Sequence, residues 1–256
     1  MNISKTLIAT SIIHHGNWDE IYLALRKKEL PSDEEVETIC SNVKCGAITI
    51  MDPEYPYYLK EYYHPPFVLF YYGDISLIND FTKNIAVVGS RNATSAALKN
   101  TDKVVQDLAK KLNIVSGLAK GIDRQAHESA IKAGGKTIAI LGCGIDLCYP
   151  SCNEDLYQEI KENHLLISEY FNHEPPNQDH FPQRNRLISM FSNGTLVPEA
   201  HFRSGTSITV SYTMAFNRQI FCMPSSNLED SLCNSLIHDG AILVRRSEDI
   251  LYELGL

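Results

Sequence analysis

The residues of this chain that could do chemistry gather in short glycine-bearing turns. Val88 leads into Gly89, Ser90, Arg91 and Asn92; Ser116 leads into Gly117, Leu118, Ala119, Lys120 and Gly121; Gly142, Cys143 and Gly144 follow an apolar run; Ser204, Gly205 and Thr206 open a further segment. Glycine after a strand lets backbone amides approach a ligand closely, and a helix N-terminus adds partial positive charge, so such turns side by side suit phosphate. One turn alone is weak, because every strand-to-helix connection needs a tight bend. Four at corresponding strand ends, two with a cation (Arg91 and Lys120), point to a phosphate or polynucleotide groove.

The densest local signal is Phe181, Pro182, Gln183, Arg184, Asn185, Arg186, at an expected loop-to-helix boundary. Guanidinium forks suit phosphate oxygens and base faces, and a phenyl ring can stack a base or anchor the turn. The same arginines could instead pair with Glu169 or Glu199 and brace the loops. Asp123 and His127 stand one helical turn apart and could form an acid/base pair, but such a pair more often knits a helix to its neighbour, and no nucleophile is tied to it.

These turns need a scaffold, and the hydrophobic pattern supplies one. From residue 84 short β-rich runs (85–88, 113–116, 137–141, 165–168, 195–197, 219–223 and 241–244) alternate with helical stretches (96–112, 122–133, 154–163, 185–191, 208–217, 231–238 and 248–254). This alternation predicts an α/β fold: an extended Rossmann-like, mostly parallel sheet with helices on both faces and functional loops at the carboxyl ends of the strands. Residues 1–75 read as a small helical domain and connector, with helices over 3–13, 18–27 and 32–41 and a turn-forming, proline-rich stretch, and residues 76–256 as the Rossmann-like domain.

Composition bounds the function. The 256 residues carry a formal net charge of −8, which excludes a surface coated in phosphate-binding charge but not a local basic groove. No apolar run approaches the roughly 18–20 residues of a spanning helix, and the start lacks a cleavage site, so a cytoplasmic protein without a membrane partner is expected. The seven cysteines are odd in number and form no Cys-x-x-Cys pair, and neither a disulfide framework nor a metal site is indicated. The second and third glycines of a dinucleotide fingerprint are missing after Gly89, which disfavours a nicotinamide cofactor; no cofactor is expected.

Read together, the motifs resemble the DprA/Smf family over residues 50–253. They run in order through Tyr55-Pro56, Leu59, Pro65-Pro66, Gly73-Asp74, Val88-Gly89-Ser90-Arg91, the 116–123 loop with Ala126-His127, Gly134 to Ala139, the 142–146 turn with Tyr149-Pro150, Ser168-Glu169, Phe181 to Arg186, Glu199-Ala200 with Ser204-Gly205-Thr206, and Asn234 with Gly240-Ala241. The resemblance implies a homodimer that binds single-stranded DNA without strong sequence preference and delivers it to the RecA recombinase during natural transformation, rather than an enzyme. It implies DNA contacts at Gly89, Ser90, Arg91, Lys120, Phe181, Arg184, Asn185, Arg186, Ser204, Gly205 and Thr206.

Three departures stand out. Many relatives carry a basic residue just after the Tyr-Pro pair, where this chain has Ser151-Cys152 and then Glu154-Asp155, expected to weaken phosphate contacts at that edge. Pro198 replaces an apolar strand residue, and Met223-Pro224-Ser225-Ser226 lacks the glycine that usually follows the proline. The end at Leu256 is expected to leave no room for the C-terminal winged-helix unit of some members. The rival reading is a nucleotide-binding or nucleotide monophosphate-hydrolysing protein: Ser204-Gly205-Thr206 resembles the core of such enzymes' Pro-Gly-Gly-x-Gly-Thr-x-x-Glu motif, but Thr209 stands where the acid belongs.

Overall fold

The structure, a computed structural model, describes residues 2–228 and 230–256. Three helices open the chain: α1 (Ile3–Ile13), α2 (Trp18–Lys27) and α3 (Asp33–Cys40). Each begins on a side chain that accepts an otherwise unpaired amide: Asn2, Asn17, and Ser32, the last in a reciprocal box with Glu35. Strands β1 (Gly46–Thr49) and β2 (Val68–Gly73) follow, and then the alternation of β3 (Asn84–Val87), α4 (Ser95–Leu108), β4 (Asn113–Ser116), α5 (Ile122–Lys132), β5 (Thr137–Ile140), α6 (Glu154–Asn163), β6 (Leu165–Ser168), α7 (His180–Met190), β7 (Gly194–Val197), α8 (Thr206–Ala215), β8 (Gln219–Cys222), α9 (Leu232–His238), β9 (Ile242–Leu243) and α10 (Ser247–Glu253).

Among the described residues nine strands form one sheet in the order β1-β2-β6-β5-β4-β3-β7-β8-β9. Strands β3 to β9 run parallel, while β2 joins β6 antiparallel and carries β1 as a hairpin-like edge. Every residue of β3, β5, β6 and β7 is buried, as expected where helices cover both faces. Alternate side chains serve opposite layers: Ile85 and Val87 pack with Val105 and Leu108 of α4, while Ala86 and Val88 pack with Leu187 and Ile188 of α7.

Three elements differ from the sequence expectation. Strands β1 and β2 come from the segment read as a small helical domain and connector, in which strand alternation is legible only near Ala47 to Ile50, so the sheet begins upstream of residue 76. The three residues that open β2, Val68 to Phe70, are all buried, so the strand shows no apolar–polar alternation to read. Helix α7 starts at His180, not at 185, because Pro182 lies in the first turn, where a helix needs no amide donor. Pro198 falls just past the end of β7 and removes no ladder bond.

Candidate nucleic-acid interface

The chain leaves β3, builds β4, β5 and β6 on one side, and crosses back to place β7 on the other, so the strand order reverses at β3. Open α/β sheets bind ligands at the carboxyl ends of strands at such a point. Two adjoining cavities occupy it here. One of about 420 Å³ is walled by the turn after β3 (88–92), by α7 and by the loop into α8. The second, about 310 Å³, lies between the turns after β4 and β5 and the Tyr149-Pro150 segment. Arg91, Asn92, Ala119, Phe181 and Arg184 border both, which makes one continuous groove.

The turn after β3 is held rigidly from below. The Ser90 amide donates to the Glu199 carbonyl at 2.8 Å, the Ile122 amide donates to the Ser90 carbonyl at 3.1 Å, and the Ser90 hydroxyl accepts from the Asn92 amide at 3.2 Å. Gly121 makes this approach possible: its φ is +76°, and a Cβ there would stand 2.2 Å from the Ser90 carbonyl oxygen. Ser90 is thereby buried, and Arg91 and Asn92 are turned out to solvent. Lys120 is exposed on the rim of the second cavity. The half-buried Phe181 ring divides the two cavities; its centre is 5.7 Å from the Arg91 guanidinium carbon and 5.8 Å from the Tyr149 ring. A cation stacked on a ring at the border of a groove is a platform on which a base or phosphate can settle.

The two arginines of α7 part company, because positions two apart on a helix do not share a face. Arg184 is buried in the groove floor: Nη1 donates to the carbonyls of Gly117 at 2.5 Å and Ile140 at 2.6 Å, and Nε to Asn185 Oδ1 at 3.0 Å. Burial lowers its pKa, opposed by the neighbouring Asp123 carboxylate. Asn185 passes the link on, its Nδ2 donating to the Gly205 carbonyl at 3.2 Å and so tying α7 to the loop before α8. Arg186 faces away from the groove into another cleft, where Nη2 donates to Glu169 at 2.6 Å. Of the expected site residues, then, Gly89, Ser90, Arg91, Phe181, Arg184, Asn185, Ser204, Gly205 and Thr206 meet in the first cavity and Lys120 in the second, and Arg186 is not brought to either.

Asp123 and His127 do not act on each other. The Asp123 carboxylate accepts the Gly117 amide at 3.1 Å and so shapes the groove floor, and His127 Nδ1 lies 2.6 Å from the Thr137 hydroxyl. Burial raises the pKa of the former and pushes that of the latter down to about 3. Thr209, at the place of the hydrolase acid, lines the first cavity and brings no carboxylate. The acidic pair after Tyr149-Pro150 also stands differently from expectation. Asp155 grips Arg124 with both oxygens, at 3.0 and 2.7 Å, and neither Glu154 nor Asp155 borders the groove.

Sequence reasoning named Asn92 in the turn after β3 without assigning it a contact, and missed Tyr149 and His201; all three border the groove. Tyr149 carried a signal, since it belongs to a quoted motif; His201, paired with Asp230 at 3.1 Å, carried none. It also missed Arg218, whose Nη1 caps the last carbonyls of α7, Ser189 at 2.5 Å and Met190 at 2.9 Å, and so fixes the helix that carries Phe181 and Arg184. No group of three or more metal-ligating side chains is present among the described residues.

The family model of DNA recombination-mediator protein A matches residues 46–255. The chain belongs to that family. It is 44% identical over 212 residues to the DNA processing protein DprA of Streptococcus pneumoniae, covering 82% of this chain and 74% of that one. With the DprA of Bacillus subtilis it shares 35% identity over 244 residues, 92% of this chain and 82% of the other. The Smf protein of Synechocystis is 40% identical over 213 residues, and there the chain spans about half, 54%, of the relative's length. Among solved structures, the X-ray structure of the S. pneumoniae protein superimposes with a TM-score of 0.81 at 35% identity, covering 98% of this chain and 94% of that one. A Helicobacter pylori DNA processing protein A, whose structure concerns its single-stranded DNA binding mode, gives 0.74 at 28% identity, over 83% of this chain and 97% of that one. The family's extended α/β sheet is therefore the fold of this chain. Among the described residues no helix is long and apolar enough to cross a membrane.

Proposed function

We propose that this family member binds single-stranded DNA in the groove at the strand reversal and hands it to a RecA-type recombinase in the cytoplasm, without turning over nucleotide or DNA. The observation that carries this reading is the continuous groove whose border holds two exposed cations, Arg91 and Lys120, around the ring of Phe181. Phosphates meet the cations and turn amides, and bases meet the ring; neither contact reads base identity, so binding is broad in sequence. The H. pylori relative's single-stranded DNA binding supports the ligand class. Pairing of two copies would align two grooves into a longer footprint. The lack of a carboxylate at Thr209 supports a binding role over hydrolysis.

The test is anisotropy of labelled single-stranded and duplex oligonucleotides across a salt series. Preference for the single strand with affinity falling as salt rises is expected. No single-strand binding at low salt, or a mononucleotide that displaces the oligonucleotide at equal concentration, overturns the reading. The handover is read separately, as faster recombinase filament assembly on a strand already coated by single-strand-binding protein.

A further inference from the structure

On the side of α7 opposite the groove lies a cleft of about 180 Å³ between the turn joining α1 to α2, the segment at His64, the loop after β6 and α7 itself. Two stacked ring pairs stand on its walls: Trp18 on His64, with centroids 3.9 Å apart and planes 24° from parallel, and Tyr170 on His180, at 3.9 Å and 19°. Arg186 borders the same cleft, its side chain only 3% exposed. Glu169 takes one of its nitrogens; Nε and Nη1 are buried and meet no acceptor among the described residues. Buried donors without acceptors destabilise a fold, so an occupant that supplies acceptors is favoured there.

We propose that this cleft receives a guanine base, turned out of the single strand that the groove holds. As to the strand, the inference rests on the groove reading above. Phosphate fits poorly, because Asp19, Glu169 and Asp179 set three carboxylates against one guanidinium. A neutral ring meets no such repulsion, and aromatic side chains wall the cleft. Guanine also fits the polar groups on both edges: its O6 and N7 accept from an arginine fork, and its N1–H and N2 amino group donate to carboxylates. A cytosine or thymine lacks the acceptor pair, and adenine puts a donor where guanine has O6. The route is short, since the consecutive residues His180 and Phe181, in one turn of α7, border the cleft and the groove respectively.

Trp18 is the only tryptophan in the chain, so its emission reports the cleft directly. The experiment titrates the whole protein with deoxyguanosine, deoxycytidine and thymidine monophosphates, then with a thymidine-only oligonucleotide and the same strand carrying one central guanine. Deoxyguanosine monophosphate alone among the three is expected to quench Trp18, and the central guanine to tighten binding by about fivefold or more, the low end for a bidentate arginine contact. Arg186→Lys, which keeps a charge beside Glu169 but loses the fork, is expected to abolish the difference between the strands. Should that variant not fold, the surface pair Asp19→Asn with Asp179→Asn is expected to reduce it. Equal affinity for both strands with unchanged emission overturns the proposal, as does equal quenching by all three mononucleotides. Quenching by the mononucleotide with no effect of the guanine in the strand supports the guanine site and overturns the strand as its source. Failure of the thymidine-only strand to bind sinks the groove reading alone, because the mononucleotide titration reads the cleft without it.

Discussion

The Arg184 guanidinium lies flat against Gly117: a Cβ on that glycine would be 2.5 Å from Arg184 Nη1, the same nitrogen that donates to the Gly117 carbonyl. Only a residue without a side chain leaves room for the bond. Arg184 is thus a brace that fastens the turn after β4 and the end of β5 to α7. Arg184→Ala removes every acceptor's partner at once and is expected to lower the unfolding free energy by about 3–5 kcal/mol. Urea unfolding checks this; an unchanged midpoint would assign the residue to the ligand alone.

Arg91 makes the contrasting case. It is exposed and rests on the Phe181 ring without a carboxylate partner among the described residues. Arg91→Ala should leave stability within about 0.5 kcal/mol. It should weaken single-strand binding across all sequences and reduce the salt slope by about one. Parent-level affinity in a folded Arg91→Ala protein would place the strand elsewhere.

The difference between these arginines shows where sequence stops being legible. The alternation from β3 onward could be read because glycine turns punctuate apolar runs of the right length, and the turns that carry Gly89, Lys120 and Ser204 do meet at one crevice. Residue type could not say which way a side chain points. Arg184 and Arg186 look equivalent in the chain, yet the helix turns one to the carbonyls of Gly117 and Ile140 and the other to Glu169. That α7 already runs through Phe181 was hidden by Pro182, which punctuates a sequence but is tolerated in a first turn. Strand β2 was obscured because its pairing with β6 depends on residues about a hundred positions away.

Phe181 joins both halves of the groove, and its loss should be felt in binding more than in folding. A base stacked on an aromatic ring is worth about 1–3 kcal/mol by alanine substitution. Phe181→Leu keeps much of the cover over Gly142, where the ring lies so close that a Cβ would stand 2.9 Å from it, but removes the stacking face. It is expected to bind a single strand about fivefold or more weakly, at the low end of that range, with a thermal midpoint close to the parent's. Equal affinity in Phe181→Leu would show that the ring only anchors the turn.

His127 gives the fold a defined acid sensitivity. Its Nδ1 is 2.6 Å from the Thr137 hydroxyl, which itself donates to the Ile114 carbonyl at 2.9 Å, so the ring nitrogen must be the donor. Burial pushes its pKa down to about 3 from an ordinary 6.5. Below 6.5 the unfolded chain binds a proton that the folded chain refuses, so stability falls as pH falls through this window, by about 1.4 kcal/mol per pH unit from this group. Well above 6.5 neither state is protonated and the contribution vanishes. Replacing the ring by an apolar side chain, His127→Leu, should therefore flatten the slope of unfolding free energy between roughly pH 6 and pH 5 by that amount, whatever it does to stability at neutral pH. Urea unfolding of both proteins across this range is the check, and parallel slopes would mean that the ring is protonated in the folded state.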